Sequence, residues 1–284
     1  MPRMQTPEGY YTATDVKRIL NVSDSVIRSY AQKGKIKYIV PPGRKQGFYL
    51  KKDVDRLVNE VAAFLSMSLE EEDKLTFTVA TKEDLAEIAR IDNRLFSTVP
   101  SPEDSLEVPE WRYKFLEKTP ETQFVLKNCD TIIGYAGLLP FRTDLSADTW
   151  TKILTCARVA DTGITENDIE RLEEGKHIHL YITGLGLDRS VPKHKRSTYG
   201  ARLVNAIVDK VVELGRRGIA IDGVTAGGAT TVGVHLLQTF GLHEVPPMVP
   251  GRRVFVMNIW ESGTHSSIQY KDAFNEWRSK HKEN

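Results

Sequence analysis

The chain is poor in several features that would narrow its class at once. Of its 284 residues only two are cysteines, Cys129 and Cys156, in different segments and in no CxxC pair. A disulfide scaffold and a thiolate metal site are therefore excluded as organising devices, and reduced thiols are expected. Apolar runs such as 178–187 are far shorter than the roughly 18 residues that a membrane span needs. The first residues, Met1 to Pro7, carry no apolar stretch of the signal-peptide kind, so a cytoplasmic protein without a membrane anchor is expected. Neither internal repeats nor low-complexity tracts are present. Charge of one sign is also missing: 39 Lys/Arg against 38 Asp/Glu leave +1.

What is present divides unevenly. Residues 1–60 carry a net +6 and residues 61–284 a net −5, which points to an anionic partner for the front module and argues against a wholly cationic nucleic-acid-binding surface. The length favours two domains. The acidic, non-periodic stretch 66–74 reads as the linker between them, giving units at 1–65 and 75–262 and a terminal helix over 263–284.

In the front module Thr12 and Asp15 cap a short helix whose Val16, Ile19 and Leu20 form one apolar stripe. A break at 21–23 leads to a second helix with Val26, Ile27 and Tyr30, ended by Gly34. An alternating strand (35–40), a basic loop (41–47), a returning strand (48–50) and a third helix with Val54, Leu57, Val58, Val61 and Leu65 inward complete a winged helix-turn-helix. The run Thr12, Asp15, Val16, Arg18, Ile19, Leu20, Val22, Ser23, Ser25, Val26, Ile27, Arg28, Ser29, Tyr30, Lys33, Gly34 resembles MerR-type and excisionase-type domains over residues 9–60. That resemblance implies that Ser25, Arg28 and Ser29 face double-stranded DNA, that Arg44 and Lys45 lie on the wing, and that Tyr30 either braces the helix or touches phosphate. It also implies a homodimer, since one short recognition helix reads few base pairs.

The second module alternates strands and helices: a strand at 75–80, a helix from Thr81, a hairpin at 123–139 turning on Asn128-Cys129-Asp130, a strand at 177–187, a helix at 199–214, a strand at 218–225, a short helix at 231–240 and a strand at 253–259. Segment 142–176 shows helical patches and no clear strand. The fold class expected is thus α+β in two domains, the second a mixed sheet flanked by helices. Where the 177–187 strand gives way to a helix, unpaired first-turn N–H groups and the cations Lys193, Lys195 and Arg196 make an anion site suited to a diphosphate.

This order, with the phrases 81–89, 124–138 and 236–242, resembles the GNAT superfamily of N-acetyltransferases over about 75–260. The resemblance implies acetyl-CoA or a related acyl-CoA as cofactor, held by Leu185, Leu187, Lys195, Arg196, Ser197, Thr198, Tyr199, Gly200 and Ala201. The run Lys195 to Gly200 departs from the family's phosphate loop: Thr198 replaces its first glycine, and about three extra residues separate it from the strand. The family's tyrosine acid falls on Leu237, which holds no proton, while its asparagine falls on Thr230 and a small residue on Gly233. His179 and Tyr181 are the remaining acid or base candidates, with packing as the alternative for each. No third ligand stands at metal-binding spacing, so no metal is expected. Two functions stay open: a DNA-binding transcriptional regulator whose second domain senses a ligand or dimerises, and a working acetyltransferase recruited to DNA.

Overall fold

A computed structural model describes residues 6–20, 24–41, 47–65, 67, 74–97, 107–156 and 158–281. The front domain runs β1 (Tyr10–Thr12), α1 (Ala13–Leu20), α2 (Asp24–Gln32), β2 (Tyr38–Ile39), β3 (Phe48–Leu50) and α3 (Lys51–Leu65), with sheet order β1-β3-β2. Thr12 and Asp15 cap α1 reciprocally. The Thr12 hydroxyl accepts from the Asp15 N–H at 3.1 Å, and the Asp15 carboxylate accepts from the Thr12 N–H at 3.2 Å. Gly34, at φ +70°, turns the chain out of α2, and the Tyr30 carbonyl accepts from the Lys35 N–H at 2.8 Å. Val16, Ile27, Tyr30, Ile36, Tyr49, Val54 and Leu57 form one small core.

The second domain contains β4 (Leu75–Val79), α4 (Asp84–Phe96), α5 (Glu110–Lys118), β5 (Gln123–Asn128), β6 (Thr131–Arg142), α6 (Ala147–Thr155), β7 (His177–Leu187), α7 (Arg196–Arg216), β8 (Ala220–Gly227), α8 (Thr231–Thr239), β9 (His243–Val245), β10 (Val254–Asn258) and α9 (His265–His281). They build the mixed sheet flanked by helices that the sequence leads one to expect. Seven strands lie in the order β4-β5-β6-β7-β8-β10-β9, and every neighbouring pair is antiparallel except β7 and β8. Phe124, Leu126, Leu138, Ile178, Leu180 and Ile221 meet Tyr199, Leu203, Ile207 and Tyr270 on one face. Val125, Tyr135, Leu139, Phe141 and Tyr181 face α4, α5 and α6 on the other.

The start of α4 differs from expectation for a local reason. The helix expected from Thr81 begins at Asp84, because the Asp84 carboxylate reaches back to the Thr81 N–H at 2.9 Å and holds the intervening turn outside the helix. Segment 142–176 holds α6, capped by Ser146, followed by two single 3₁₀ turns and one bridge from Ile169 to Phe141. Helix α9 packs along α7, and the Tyr270 hydroxyl donates to the Ile219 carbonyl while accepting from the Ile221 N–H.

Candidate functional site

The one parallel pair marks where the sheet opens. Register between β7 and β8 runs from His177↔Ala220 to Ile182↔Ala226 and stops there. On its other side β7 continues against β6 through Leu187↔Gly134, with an extra residue, Thr183, between the pairs Ile182↔Leu138 and Gly184↔Gly137. This bulge bends the strand and resets its alternation. Ile182, Leu185 and Leu187 all pack toward the α7 face. Gly184 sits under Tyr135, where an added Cβ would stand 2.5 Å from the phenol oxygen. Thr183 to Leu187 thus leave β8 behind, and the crossover helices α7 and α8 both start at this end of the sheet. A splay at the carboxyl ends of parallel strands is the ordinary position for a ligand in such sheets.

Helix α7 begins at Arg196, ahead of the start expected near Thr198. The Pro192 carbonyl accepts from the N–H groups of Lys195 and Arg196 at 2.9 and 3.2 Å, which winds the turn early. Asp188 organises the loop before it. Its carboxylate accepts from the Ser190 N–H at 2.7 Å and pairs with Arg94 at 2.7 Å. Burial works against this charge, yet Ser190 and Arg94 outweigh it and hold the carboxyl below its ordinary range. Helix geometry leaves the amides of Ser197 and Thr198 without intrahelical carbonyls, at the positive end of a 21-residue helix.

The nine residues expected to hold a cofactor separate by role. Tyr199 and Ala201 are buried, so their side chains pack into the core rather than face a ligand. The Arg196 guanidinium folds back on the loop, donating to the carbonyls of Val191 at 2.9 Å and Arg189 at 2.5 Å. The Lys195 ammonium lies 5.9 Å from the centre of the Tyr199 ring. Ser197 is exposed, Thr198 and Gly200 are half-buried, and Leu185 and Leu187 form the inner wall. At the start of α8 the Thr230 hydroxyl accepts from the Gly233 N–H at 3.0 Å, and Leu237 packs against the main core.

His179 and Tyr181 lie inside the sheet's opposite face. His Nε2 stands 2.8 Å from the Thr225 hydroxyl, its ring meets Trp150 edge-on at 5.2 Å, and burial pushes its pKa from 6.5 down to about 4. The fully buried Tyr181 donates to the Cys156 carbonyl at 2.6 Å. No group of three or more His, Cys, Asp or Glu that could hold a metal occurs among the described residues.

Sequence reasoning missed a polar cluster beside the bulge. The buried Tyr135 donates to Asp92, and burial with that carboxylate raises its phenol well above the usual value. Arg112, 4% exposed, reaches Asp92 at 3.4 Å and donates to the Gln123 carbonyl oxygen at 3.0 Å. The Gln123 amide nitrogen and the Thr183 hydroxyl have no partner among the described residues. These groups come from five elements, so no spacing could have announced them.

In the front domain Arg28 is exposed and bonds its own helix at the Asp24 carbonyl, and Ser29 is half-buried. Tyr30 is only 8% exposed: it braces the core, and its hydroxyl lies 3.4 Å from Gln238 on α8. The Ser25 side chain, like Arg44 and Lys45, lies outside the described residues. A further contact joins the domains. Phe64 of α3 lies over the first turns of α7, 3.6 Å from where a Gly200 Cβ would stand. His235 on α8 is held below its ordinary pKa first by burial and then by the charge of Lys35.

The fold and the splay define a winged helix-turn-helix joined to a mixed-sheet domain with an anion-suited helix end. Residues 11–60 match the family model described as MerR HTH family regulatory protein. No curated protein matches the chain. Among solved structures it is similar to Arabidopsis thaliana Naa50 in complex with a bisubstrate analogue, at 10% identity and TM-score 0.39, covering 64% of this chain and 95% of that one. It is also similar to an N-acetyltransferase from Staphylococcus aureus Mu50, at 15% identity and TM-score 0.39, covering 65% and 98%. The ribosomal-protein-S18-alanine N-acetyltransferase from Escherichia coli gives 14% identity and TM-score 0.35, covering 64% and 91%. These are loose likenesses, and they add nothing to what the strand order and the splay establish. No helix among the described residues is long and apolar enough to cross a membrane.

Proposed function

We propose that the chain is a DNA-binding transcriptional regulator, acting as a homodimer, whose second domain takes an acyl-CoA at the β7–β8 splay. The observation that carries the ligand half is the coincidence of two features at one end of the sheet: a half-strand released from β8 and the first-turn amides of α7 that have no intrahelical carbonyl. The residues fit a diphosphate-bearing thioester. The amides of Ser197 and Thr198 and the Lys195 ammonium would meet the diphosphate, and the released edge of Thr183 to Leu187 would pair with its amide-bearing arm. When bound, the group supplies an activated acyl carbon. The DNA half is supported by the match over 11–60 and by Arg28, which is exposed on the face of α2 turned away from its core.

Sensing is favoured over catalysis because the candidates for acid and base do not serve: Leu237 holds no proton, and His179 and Tyr181 are buried and partnered. The enzyme reading has one observation in its favour, the Asp92–Tyr135 pair beside the bulge, where a carboxylate about one-third exposed meets a phenol. Titration calorimetry with acetyl-CoA, for wild type and Lys195→Ala, tests the ligand. Binding weakened by the substitution supports the reading, and no binding to either protein refutes it. Release of free thiol from acetyl-CoA with an amine acceptor would decide for catalysis.

A further inference from the structure

The contacts between the two domains fall on the two helices that frame the splay. Phe64, near the end of α3, covers α7 at Gly200. Tyr30, at the end of α2, meets Gln238 of α8 across 3.4 Å. The helix-turn-helix therefore spans the mouth of the opening instead of resting on an uninvolved surface. Gly200 lies three residues on from Ser197, whose first-turn amide a phosphate would meet, and the Phe64 ring of the other domain lies over that stretch of α7, 3.6 Å from where a Gly200 Cβ would stand.

From this placement, and resting on the acyl-CoA reading above, we propose that Phe64 and the ligand's diphosphate compete for the first turns of α7. Ligand binding then requires the helix-turn-helix to leave the α7–α8 mouth. The arrangement leaves Arg28 exposed. Residues 28 and 30 stand about 200° apart on a helix, so Tyr30 points into the interface while Arg28 stays exposed. What the ligand controls is where the reading head sits, which in a dimer sets the spacing of the two heads on the duplex. The coupling is reciprocal: docking lowers the fraction of molecules able to bind ligand, and the apparent affinity falls by that fraction.

The experiment is titration calorimetry of coenzyme A into the full chain as wild type, Phe64→Ala, Gln238→Ala and Lys195→Ala, with hydrogen exchange followed over 30–38 and 60–65. Phe64→Ala should bind about fivefold or more tightly than wild type, because the competing ring is gone. Gln238→Ala, which leaves α3 intact, should bind more tightly by a smaller factor. Exchange over both segments should rise when coenzyme A is added to wild type. If Phe64→Ala binds equally or more weakly while Lys195→Ala still loses affinity, the acyl-CoA reading stands and the competition is wrong. If none of the four proteins binds coenzyme A, the reading itself falls and takes the competition with it.

Discussion

His179 offers a prediction whose sign and size both follow from its surroundings. Its imidazole is 7% exposed, contacts the Thr225 hydroxyl through Nε2, lies against Trp150, and fits over β8 only because residue 223 is glycine, where a Cβ would stand 2.8 Å from Nδ1. Burial holds its pKa near 4, below the ordinary 6.5. Above pH 6.5 the ring is neutral in both folded and unfolded chains and pH has no effect through it. Between 6.5 and 4 the unfolded chain takes up a proton that the folded chain refuses, so stability falls with falling pH. The loss is about 1.4 kcal/mol at pH 5.5 and about 3 kcal/mol by pH 4. The measurement is urea denaturation at pH 7.5, 5.5 and 4.5, followed by tryptophan fluorescence, for wild type and His179→Gln. Other titrating groups are common to the two proteins and cancel in the difference. Wild type should lose ground to the variant by these amounts, and parallel pH profiles would refute the burial argument.

Removing the Tyr270 hydroxyl as Tyr270→Phe strands the Ile219 carbonyl and the Ile221 N–H at the start of β8; the cost should be about 2–4 kcal/mol by chemical denaturation, and a loss well below 1 kcal/mol would contradict it. Gly218 sits at φ +74° with the Trp277 indole 2.2 Å from an added Cβ; Gly218→Ala should lower stability by about 2–4 kcal/mol and expose Trp277 to quenching, and an unchanged melting curve would count against it. Arg28→Ala should weaken duplex binding and flatten its salt dependence by about one unit of slope if Arg28 meets phosphate; unchanged affinity at every salt concentration would take Arg28 out of the interface.

Legibility followed locality. Strand β7 was read to its residue limits because His177–Leu187 is one long β-rich run, and α7 was plain from its apolar stripe. Its first turn is not legible because the Pro192 carbonyl, not an N-cap side chain, winds it. Segment 142–176 resisted reading because single 3₁₀ turns and one bridge leave no period in the sequence. The winged helix-turn-helix was legible from caps and Gly34, whereas the direction of Tyr30 was not, since the spacing that puts it in the front core also leaves its hydroxyl at the domain border. The Asp92–Arg112–Gln123–Tyr135 cluster and the approach of Phe64 to Gly200 depend on separate elements meeting in space, and no window along the chain contains either.

The account turns on what occupies the end of the sheet where β7 parts from β8. A crystal of the full chain grown with coenzyme A addresses it directly. The diphosphate should lie within hydrogen-bond distance of the backbone amides of Ser197 and Thr198, with the Phe64 ring displaced from Gly200. Coenzyme A bound elsewhere, as in the groove lined by Trp260, Phe274 and Trp277 at the far end of the sheet, with α7 still covered, would contradict it.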